Sequence, residues 1–309
     1  MKWPRSWMFE TIVWVCLMCI VSCKDDAKSS ADVFVPDGDG DPDGGEPACQ
    51  WGPFGTPQQV SVDLTDFTHA GGATVTGDAL TLYVHARYPD EESQIMRATR
   101  GDASEPFGAL APVVALQSDV AAFDPSISED GNTIYFSRWD NDAPSEIYMA
   151  EKDGADFGAP IKVSNVNDLA WDSGPFATSD GLWLFFDSRR AGTPDLYAAK
   201  RNSPDAEFDP PVALAKLNTA NHEARPTVSE DVLEIFFTQA VSGEDSNIMT
   251  ATKVDLDAPY GTPVPVAEVN TDIHEGQPFL ARDGRTLYFT RSEIGSDQPT
   301  LWYVTRACE

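Results

Sequence analysis

The decapeptides LNTANHEARP (217–226) and VNTDIHEGQP (269–278) are nearly the same sequence and begin 52 residues apart. A third copy, VNDLAWDSGP (166–175), begins 51 residues before the first. Each decapeptide, called a lead-in below, is followed by a turn with an Asp, an apolar aromatic run and a second apolar segment. Repetition at this spacing indicates an array of one supersecondary unit.

The Asp of the turn sets the number of units, because it occurs five times at intervals of 52, 50, 51 and 52 residues. The five are Asp78, Asp130, Asp180, Asp231 and Asp283. Gly follows the Asp in three copies, as a tight turn requires where φ is positive. An Asp in a turn accepts hydrogen bonds from the backbone of that turn, so we expect these five residues to be structural.

The segments after the turns are short, aromatic and β-branched, and they have no helical period. They read LTLYVHA, NTIYFSR, LWLFFDS, LEIFFTQ and RTLYFTR, which is typical of buried strands. A further strand and an aromatic-Gly-x-Pro step such as 157–160 follow in most copies. Radial repetition of four-stranded antiparallel sheets is a β-propeller. The sequence therefore predicts an all-β fold, a five-bladed propeller of four-stranded antiparallel blades.

The fifth copy ends at Glu309 without a fourth strand, and the N-terminal part of the propeller contains a match to the missing piece. Residues 54–60 read FGTPQQV, similar to FGAPIKV at 157–163. We expect this N-terminal strand to complete the last blade and close the ring, with the seam between 54–64 and 274–307. Closure would remove an exposed sheet edge.

The pattern P-x-[VIF]-x-x-D-G-x-x-[IL]-[YF]-F-[ST], with D-[IL]-Y-x-A downstream, resembles the TolB-type (WD40-like) propeller repeat. The similar repeats that carry an N-[ST]-x-x-x-[ED]-x-x-P lead-in occur in lipoproteins of the bacterial cell envelope. The resemblance implies a propeller that serves as a binding platform, and it names no partner. Two copies depart from the pattern: THAGGATVTGDA (68–79) lacks its Pro and turn Gly, and Val232 stands where Gly is usual.

Residues 1–22 are predicted to be a lipoprotein signal peptide. Lys2 and Arg5 precede an apolar run from Ile12 to Val21, which is the order of a secretory signal and is too short to span a bilayer. The stretch 20–23, IVSC, resembles a lipobox, and this resemblance implies cleavage before Cys23 and lipidation of that residue. The alternative is an ordinary signal peptide. Lys24 after the lipidated Cys resembles the default for the Gram-negative outer membrane, so we expect a secreted, lipid-anchored protein.

Residues 23–48 are predicted to be a disordered, acidic, Gly- and Pro-rich tether, because such a composition buries too little apolar surface to fold. Its segment DGDGDPDG also resembles Asp-rich calcium loops, although the complete EF-hand pattern is absent. A linker is the favoured interpretation. The remaining residues, 49–309, are predicted to form the TolB-like propeller.

Lipidation of Cys23 would leave Cys49 and Cys308 as an even pair in an oxidising compartment. Cys49 lies just before the expected seam strand and Cys308 just after the last one. The closed ring therefore predicts a disulfide between two residues that are 259 positions apart in sequence.

The chain carries 50 acidic and 21 basic residues, a formal net charge of −29. Such a surface repels nucleic acid and anionic lipid, so we expect no nucleic-acid partner and membrane contact through the lipid anchor only. We expect the propeller to be monomeric.

Candidate site residues recur at matched positions of the lead-ins. His69, His222 and His274 share one position, which Trp171 occupies in the third copy, and the acids Asp172, Glu223 and Glu275 follow. Asp124, Arg225 and Gln277 stand two residues further along. Because a lead-in enters the innermost strand of a blade, these side chains are predicted to surround one mouth of the central channel as a ligand-binding funnel. The alternative is that they only cap the crossings between blades through hydrogen bonds to the backbone. Ring symmetry would hold the imidazoles apart, so no metal site and no cofactor is expected.

Catalytic motifs are missing from the sequence: it has no G-x-S-x-G elbow, H-E-x-x-H helix or Walker loop. We therefore interpret the chain as a cell-envelope lipoprotein whose propeller is a non-catalytic scaffold that binds an unidentified envelope protein or glycan. The alternative is a glycan-binding or glycoside-processing propeller that uses carboxylates at the channel mouth.

Overall fold

A computed structural model describes residues 49–140, 142–241, 245–292 and 298–309. The predicted signal peptide, Cys23 and the tether lie outside the described residues, so they stay predictions. Among the described residues, no helix has the length and apolar character needed to cross a bilayer. The described chain begins with two short strands, β1 (Trp51–Phe54) and β2 (Gln58–Gln59).

Five antiparallel sheets follow in chain order, and they are the blades of the propeller. Blade 1 contains β3 (His69–Val75), β4 (Thr81–Arg87), β5 (Gln94–Thr99) and β6 (Ala111–Pro112). Blade 2 contains β7 (Ala121–Ile127), β8 (Thr133–Trp139), β9 (Glu146–Asp153), β10 (Asp156–Phe157) and β11 (Ile161–Lys162). Blade 3 contains β12 (Asp172–Ala177), β13 (Trp183–Ser188), β14 (Asp195–Lys200) and β15 (Val212–Ala213).

Blade 4 contains β16 (His222–Val228), β17 (Glu234–Ala240), β18 (Ser246–Thr252) and β19 (Val264–Pro265). Blade 5 contains β20 (His274–Leu280), β21 (Thr286–Ser292) and β22 (Thr300–Cys308), completed by β1 and β2. One 3-10 turn, Val114–Leu116, leads from blade 1 to blade 2. The predicted all-β fold, with five blades of antiparallel strands, is confirmed.

The first strand of each blade lies at the centre of the ring. β3, β7, β12, β16 and β20 each contact the first strands of both neighbouring blades, including β20 against β3 where the ring closes. The lead-ins therefore enter the innermost strands, as expected. The second strands are buried on both faces, which explains their uninterrupted apolar sequences. Their central aromatic position is fully buried in four blades, at Phe136, Phe186, Phe237 and Phe289.

The seam lies in blade 5, as predicted. β2 pairs with β22 through Gln58 opposite Tyr303, and β1 pairs with the end of the same strand through Trp51 opposite Cys308. A disulfide joins Cys49 and Cys308, whose Cα atoms lie 5.3 Å apart. Hydrogen bonds and a covalent link thus hold the two ends of the propeller together.

The five turn Asp residues have the structural role expected of them. In blades 1 to 4 the Asp Oδ1 accepts a hydrogen bond from the backbone N–H two residues on and another from a Ser or Thr hydroxyl two residues before it. Asp283 Oδ1 accepts from the N–H groups of Arg285 and Thr286. These bonds hold each turn between the first and second strands of its blade.

The middle and one end of the central channel are filled by side chains. Phe176 of β12 and Phe279 of β20 meet with their ring centroids 6.0 Å apart. Below them, the guanidinium of Arg282 lies 4.6 Å from the Phe176 ring and donates to the carbonyl of Ala177 across the ring of blades. Arg282 also lies 3.8 Å from Glu230. A cavity lies at the opposite end, where the lead-ins enter.

Candidate functional site at one mouth of the channel

A β-bulge in every innermost strand aims one residue at the channel axis. The register of each first strand shifts at the bulge. The bulged residues have positive φ and are Gly72 (59°), Asp124 (51°), Gly174 (60°), Arg225 (53°) and Gln277 (53°). A bulge commonly re-aims a side chain near a functional site. Here the five bulge positions line the cavity at the mouth.

Each bulge N–H donates a hydrogen bond to a neighbouring blade, which joins the blades around the axis. In four cases the acceptor is a side chain in the second strand of the preceding blade. The pairs are Asp124 N to His85 Nδ1 (3.2 Å), Gly174 N to Ser137 Oγ (3.2 Å), Arg225 N to Asp187 Oδ1 (2.9 Å) and Gln277 N to Thr238 Oγ1 (2.9 Å). Gly72 N closes the ring by donating to Gln277 Oε1 at 2.9 Å.

An ion pair crosses the mouth between blades 2 and 4. Arg225 Nε donates to Asp124 Oδ1 at 2.9 Å, and the Asp124 side chain is buried while the Arg225 side chain is 37% exposed. The other carboxylate oxygen, Asp124 Oδ2, is buried and has no hydrogen-bond partner within the described part of the chain. Buried acceptors are normally hydrogen-bonded, so this oxygen is available to a donor from a bound molecule.

Two buried groups beside this ion pair have strongly shifted pKa values. Burial raises the pKa of Asp187 to about 6, with the charge of Asp124 adding to the rise and Arg225 opposing it. Burial lowers the pKa of His85 to about 3, although Asp124 opposes the shift. At neutral pH His85 is therefore an uncharged hydrogen-bond acceptor, whereas Asp187 is ionised and titrates close to the physiological range.

The cavity itself is small. It has a volume of about 30 Å³, and Phe176 and Phe279 form its floor. A space of that size holds a water molecule or two, not a sugar ring. The mouth is therefore a shallow polar surface, and a larger ligand would have to lie on it and not inside it.

The outer candidates stand at the edge of the mouth and do not converge. His69 lies against His85, with ring nitrogens 3.4 Å apart. His274 Nδ1 accepts from the N–H of Ser246 at 3.0 Å, and His222 is exposed. Within the described ranges, no group of three or more His, Cys, Asp or Glu side chains is placed to hold a metal ion.

The three acids that follow the mouth residues are fully buried and point away from the cavity into the lead-in loops. Glu223 accepts from the Thr219 N–H and hydroxyl and from Gln239, and Glu275 accepts from the Thr271 N–H and hydroxyl and from Arg291. Asp172 accepts from the Asp168 N–H and from Arg190. This geometry corresponds to the capping alternative, because each carboxylate is occupied by donors of its own blade.

An Asn in the same lead-ins fastens each loop to the preceding blade. Asn218 Oδ1 accepts from the N–H of Leu196 at 2.8 Å, and its Nδ2 donates to the carbonyl of the same residue at 3.1 Å. Asn167 and Asn270 form the same pair of bonds with Ile147 and Ile248. The side-chain amide thus pairs with strand backbone as an additional strand residue would.

An aromatic pair lies beside the mouth between blades 2 and 3. Trp171 and Trp139 have ring centroids 5.2 Å apart, and the Arg189 guanidinium lies 5.3 Å from the Trp171 ring. Both indoles are partly exposed. Trp171 was a candidate from sequence, whereas Trp139 was not.

Sequence reasoning also missed His85 and Asp187. Both occupy the second-strand position that holds Ser137, Thr238 and Thr290 in the other blades. The signal was available, because a titratable residue at a position otherwise held by Ser or Thr stands out once the repeats are aligned. Of the ten lead-in candidates, the structure brings together only Asp124, Arg225 and Gln277 in the cavity.

Comparison with known proteins shows similarity in fold. No family model and no curated protein matches the chain. Among solved structures it is similar to TolB from Acinetobacter baumannii, with 16% identity over 76% of this chain and 54% of that one and a TM-score of 0.48. It is also similar to a putative TolB from Agrobacterium tumefaciens, with 14% identity over 80% of this chain and 78% of that one and a TM-score of 0.52.

A thermostable family-43 glycoside hydrolase is similar to the same extent, with 14% identity over 77% of this chain and 89% of that one and a TM-score of 0.53. The chain spans about half the length of the Acinetobacter TolB that it matches. The structural neighbours thus include TolB propellers and a glycoside hydrolase. At such identities the likeness establishes the propeller fold and leaves the function open.

Proposed function

We propose that this protein is a lipid-anchored scaffold of the bacterial cell envelope, whose propeller binds a protein partner at the mouth face without catalysing a reaction. The observation that carries the proposal is the use of the lead-in carboxylates. Asp172, Glu223 and Glu275 are engaged by donors of their own blades, and the cavity at the mouth, which they do not line, has a volume of about 30 Å³. A shallow polar surface suits a partner that lies across it.

The contact residues in this proposal are the exposed or half-exposed ones around the mouth: His69, Trp171, His222 and His274. Asp124 Oδ2 adds a buried acceptor at the centre that has no hydrogen-bond partner among the described residues. Aromatic and Arg side chains commonly dominate the binding energy of protein interfaces, and Trp171 with Arg189 supplies both.

The binding test separates contact residues from capping residues. The lipidated protein, purified in detergent, is used to capture partners from an envelope extract. We expect Trp171→Ala and His222→Ala to reduce capture of the dominant partner at least five-fold while thermal unfolding stays unchanged. Glu223→Gln is the matched variant, since it should lower stability by about 1 kcal/mol through weaker capping and leave capture intact.

Equal capture by the wild type and the two mouth variants would overturn the mouth as the binding surface. A partner that also binds unrelated acidic proteins of similar charge would count against specific recognition in the same way.

The anchor is tested separately. Changing Cys23 to Ser should release the protein from the membrane fraction, because lipidation requires the thiol. A Cys16→Ser variant is the control and should remain with the membrane. If the Cys23→Ser protein still sediments with membranes at high salt, another element holds it there.

Glycoside processing is the second candidate, and two observations favour it. Asp187, with its pKa raised to about 6 by burial, lies next to the Asp124–Arg225 pair, and a carboxyl group with a raised pKa is typical of a general acid. The Trp139–Trp171 pair offers an aromatic surface for a sugar ring. Release of reducing ends from arabinan or xylan, abolished by Asp187→Asn and by Asp124→Asn, would establish this function over the scaffold.

A further inference from the structure

Another cavity, which shares no lining residue with the mouth, lies between blades 3 and 4. It is a groove of about 530 Å³, within the size range of small-molecule sites. Its floor is apolar and contains Trp183, Phe185, Leu217, Val232 and Tyr260. At its edge Val212 and Leu256 are 69% and 56% exposed, so apolar surface continues out of the groove into solvent.

The groove coincides with the place where the repeat departs from its own pattern. The turn position held by Gly131, Gly181 and Gly284 has positive φ in every blade, and in blade 4 it is Val232 with φ of 60°. A β-branched residue is strained in this region of φ. Its side chain is buried in the groove wall. Ala79 of blade 1 also has positive φ at this position (57°), and of the five residues Val232 alone is β-branched. Strain at a β-branched residue is a reason to look for a function.

Blade 4 also differs from blades 1, 3 and 5 in the aromatic and basic residues that contact this turn. In blades 1, 3 and 5 an Arg stacks on a Phe and donates to the carbonyl of the turn position, as Arg201 does with Phe208 and Gly181. The Phe is followed by Gly in blades 1 and 5 and by Asp209 in blade 3. In blade 4 the pair is Lys253 and Tyr260, and the Tyr260 hydroxyl donates to the Val232 carbonyl at 2.8 Å. The tyrosine thus replaces the Arg in holding the turn and leaves the ammonium of Lys253 at the groove.

Blade 3 contributes two more residues that differ from the repeat, and they are paired between β13 and β14. Trp183 stands where blades 1, 2 and 5 have Thr, and its strand partner Lys200 stands where blades 1, 4 and 5 have Thr. The Lys200 ammonium lies 5.1 Å from the indole. A large apolar surface and a cation have therefore been added on one side of the same groove.

The charge of the groove is unusual for this chain. Lys200, Lys216 and Lys253 all line it, in a protein whose net charge is −29. Asp209 and Asp257 line it as well. Among the described residues neither Lys200 nor Lys253 has a carboxylate within ion-pair distance, whereas Lys162 is paired with Glu146 at 2.6 Å. Burial lowers the pKa of Lys253, and the charges of Asp255, Asp257 and Asp231 oppose this shift. Its ammonium donates to the Leu256 carbonyl at 3.1 Å.

We propose that the groove between blades 3 and 4 binds a small amphipathic carboxylate, with its hydrocarbon part on Trp183 and Val232 and its carboxylate within reach of Lys200 and Lys253. The apolar floor supplies affinity by burial of hydrocarbon, and the two ammonium groups select the anion. This site is distinct from the mouth of the channel, and the inference does not depend on the proposed function.

The test uses decanoate as the probe and the full-length protein, purified in detergent and exchanged into an amphipol that leaves the probe free. Isothermal titration calorimetry should give saturable binding with one site per chain. Lys200→Gln with Lys253→Gln should weaken it at least ten-fold, and Trp183→Thr, which restores the residue of the other blades, should weaken it further. The matched control is Lys152→Gln, because Lys152 has the repeat position of Lys253 in blade 2 and lies outside the groove.

Decyltrimethylammonium carries the same chain with the opposite charge and should bind at least ten-fold more weakly than decanoate. Equal binding of the two probes would overturn selection by the lysines. The absence of saturable decanoate binding to the wild type, or loss of binding in the Lys152→Gln control alone, would overturn the site itself. Mouth variants such as His222→Ala should bind decanoate normally, so the outcome is independent of the partner test.

Discussion

His85 and Asp187 occupy the same position in the second strands of blades 1 and 3, and each accepts a hydrogen bond from a bulge N–H of the next blade. Burial shifts both pKa values so that the neutral form is favoured. The two residues therefore affect stability in opposite directions as the pH changes. Substitution of each residue therefore tests its shifted pKa.

Replacing His85 by Thr should remove an acid sensitivity. The folded pKa of about 3 lies below the ordinary 6.5, so below pH 6.5 the unfolded chain takes up a proton that the folded chain does not. The wild type should thus lose up to about 1.4 kcal/mol per pH unit from this residue as the pH falls from 6.5 to 4. Urea unfolding of His85→Thr across that range should have a shallower slope. A parallel pH dependence in both proteins would contradict the buried neutral imidazole.

Replacing Asp187 by Asn should act with the opposite sign. The folded pKa of about 6 lies above the ordinary 3.8, so between these values the unfolded chain releases a proton that the folded chain keeps. The wild type should therefore lose stability as the pH rises from 4 to 6, by about 2–3 kcal/mol in total. Asn keeps an acceptor for the Arg225 N–H and cannot ionise. We expect the stability difference in favour of Asn to grow over this interval, and a constant difference would refute the raised pKa.

At the scale of elements, the lead-in loops are held by side chains that form hydrogen bonds with backbone groups. An Asn pairs with the third strand of the preceding blade, and a buried acid caps the loop in blades 3 to 5. The repetition of N-[ST]-x-x-x-[ED] follows from this geometry, because both groups must reach fixed backbone positions. The bulge just beyond then sends one residue per blade into the channel.

Removing one of these Asn side chains should cost substantial stability. Asn218→Ala leaves the Leu196 N–H without its partner, and an unpaired buried group costs about 1–3 kcal/mol. The Leu196 carbonyl loses one donor and keeps the Leu214 N–H. Asn221→Ala is the control in the same loop, since no hydrogen bond of its side chain exists among the described residues. Thermal and urea unfolding should separate the two variants clearly. Equal stability of the two variants would show that the Asn218 side chain contributes little to stability.

At the scale of the whole molecule, the propeller depends on the closure of blade 5. β1 and β2 supply the outer strands of that blade, and the disulfide joins the ends of the ring. Without them the edge of β22 would present unpaired backbone groups, and such an edge promotes aggregation. Strand pairing and a disulfide therefore close the ring at the same blade.

The covalent closure can be tested without removing a strand. Cys49→Ser with Cys308→Ser should lower the free energy of unfolding, with an upper limit of about 5 kcal/mol for so long a loop in the chain-entropy model. Urea unfolding of the wild type with and without reductant gives the matched comparison. Deleting 49–64 should have the larger effect and produce aggregates visible by light scattering. A monomeric deletion variant with unchanged melting would show that the N-terminal strands do not close the ring.

Much of the architecture was readable from single residues at regular intervals. The turn Asp gave the number of blades, and the match of FGTPQQV with FGAPIKV gave the closing strand. Both signals are local, because turn chemistry and strand pattern depend on a few neighbouring residues. The pairing of Cys49 with Cys308 followed from closure.

The candidate site was readable only in part. Asp124, Arg225 and Gln277 were identified by position, yet their meeting across the channel required the five bulges to point at one axis. In the sequence the acids Asp172, Glu223 and Glu275 were equally good candidates, but in the structure they accept hydrogen bonds from their own lead-in loops. Which of two adjacent side chains faces the channel depends on the bulge, and a one-residue change of register reverses it.

The sequence by itself determined the five-fold repeat, the strand order of each blade and the closure of the ring, because these follow from local turn and strand chemistry repeated at a constant interval. Only the tertiary structure decided which side chains share a site. The shifted pKa values of His85 and Asp187 arise from burial between blades, and the groove beside Val232 exists only where blade 3 packs on blade 4. Burial and contact between residues far apart in sequence are properties of the packed ring, and no single repeat contains them.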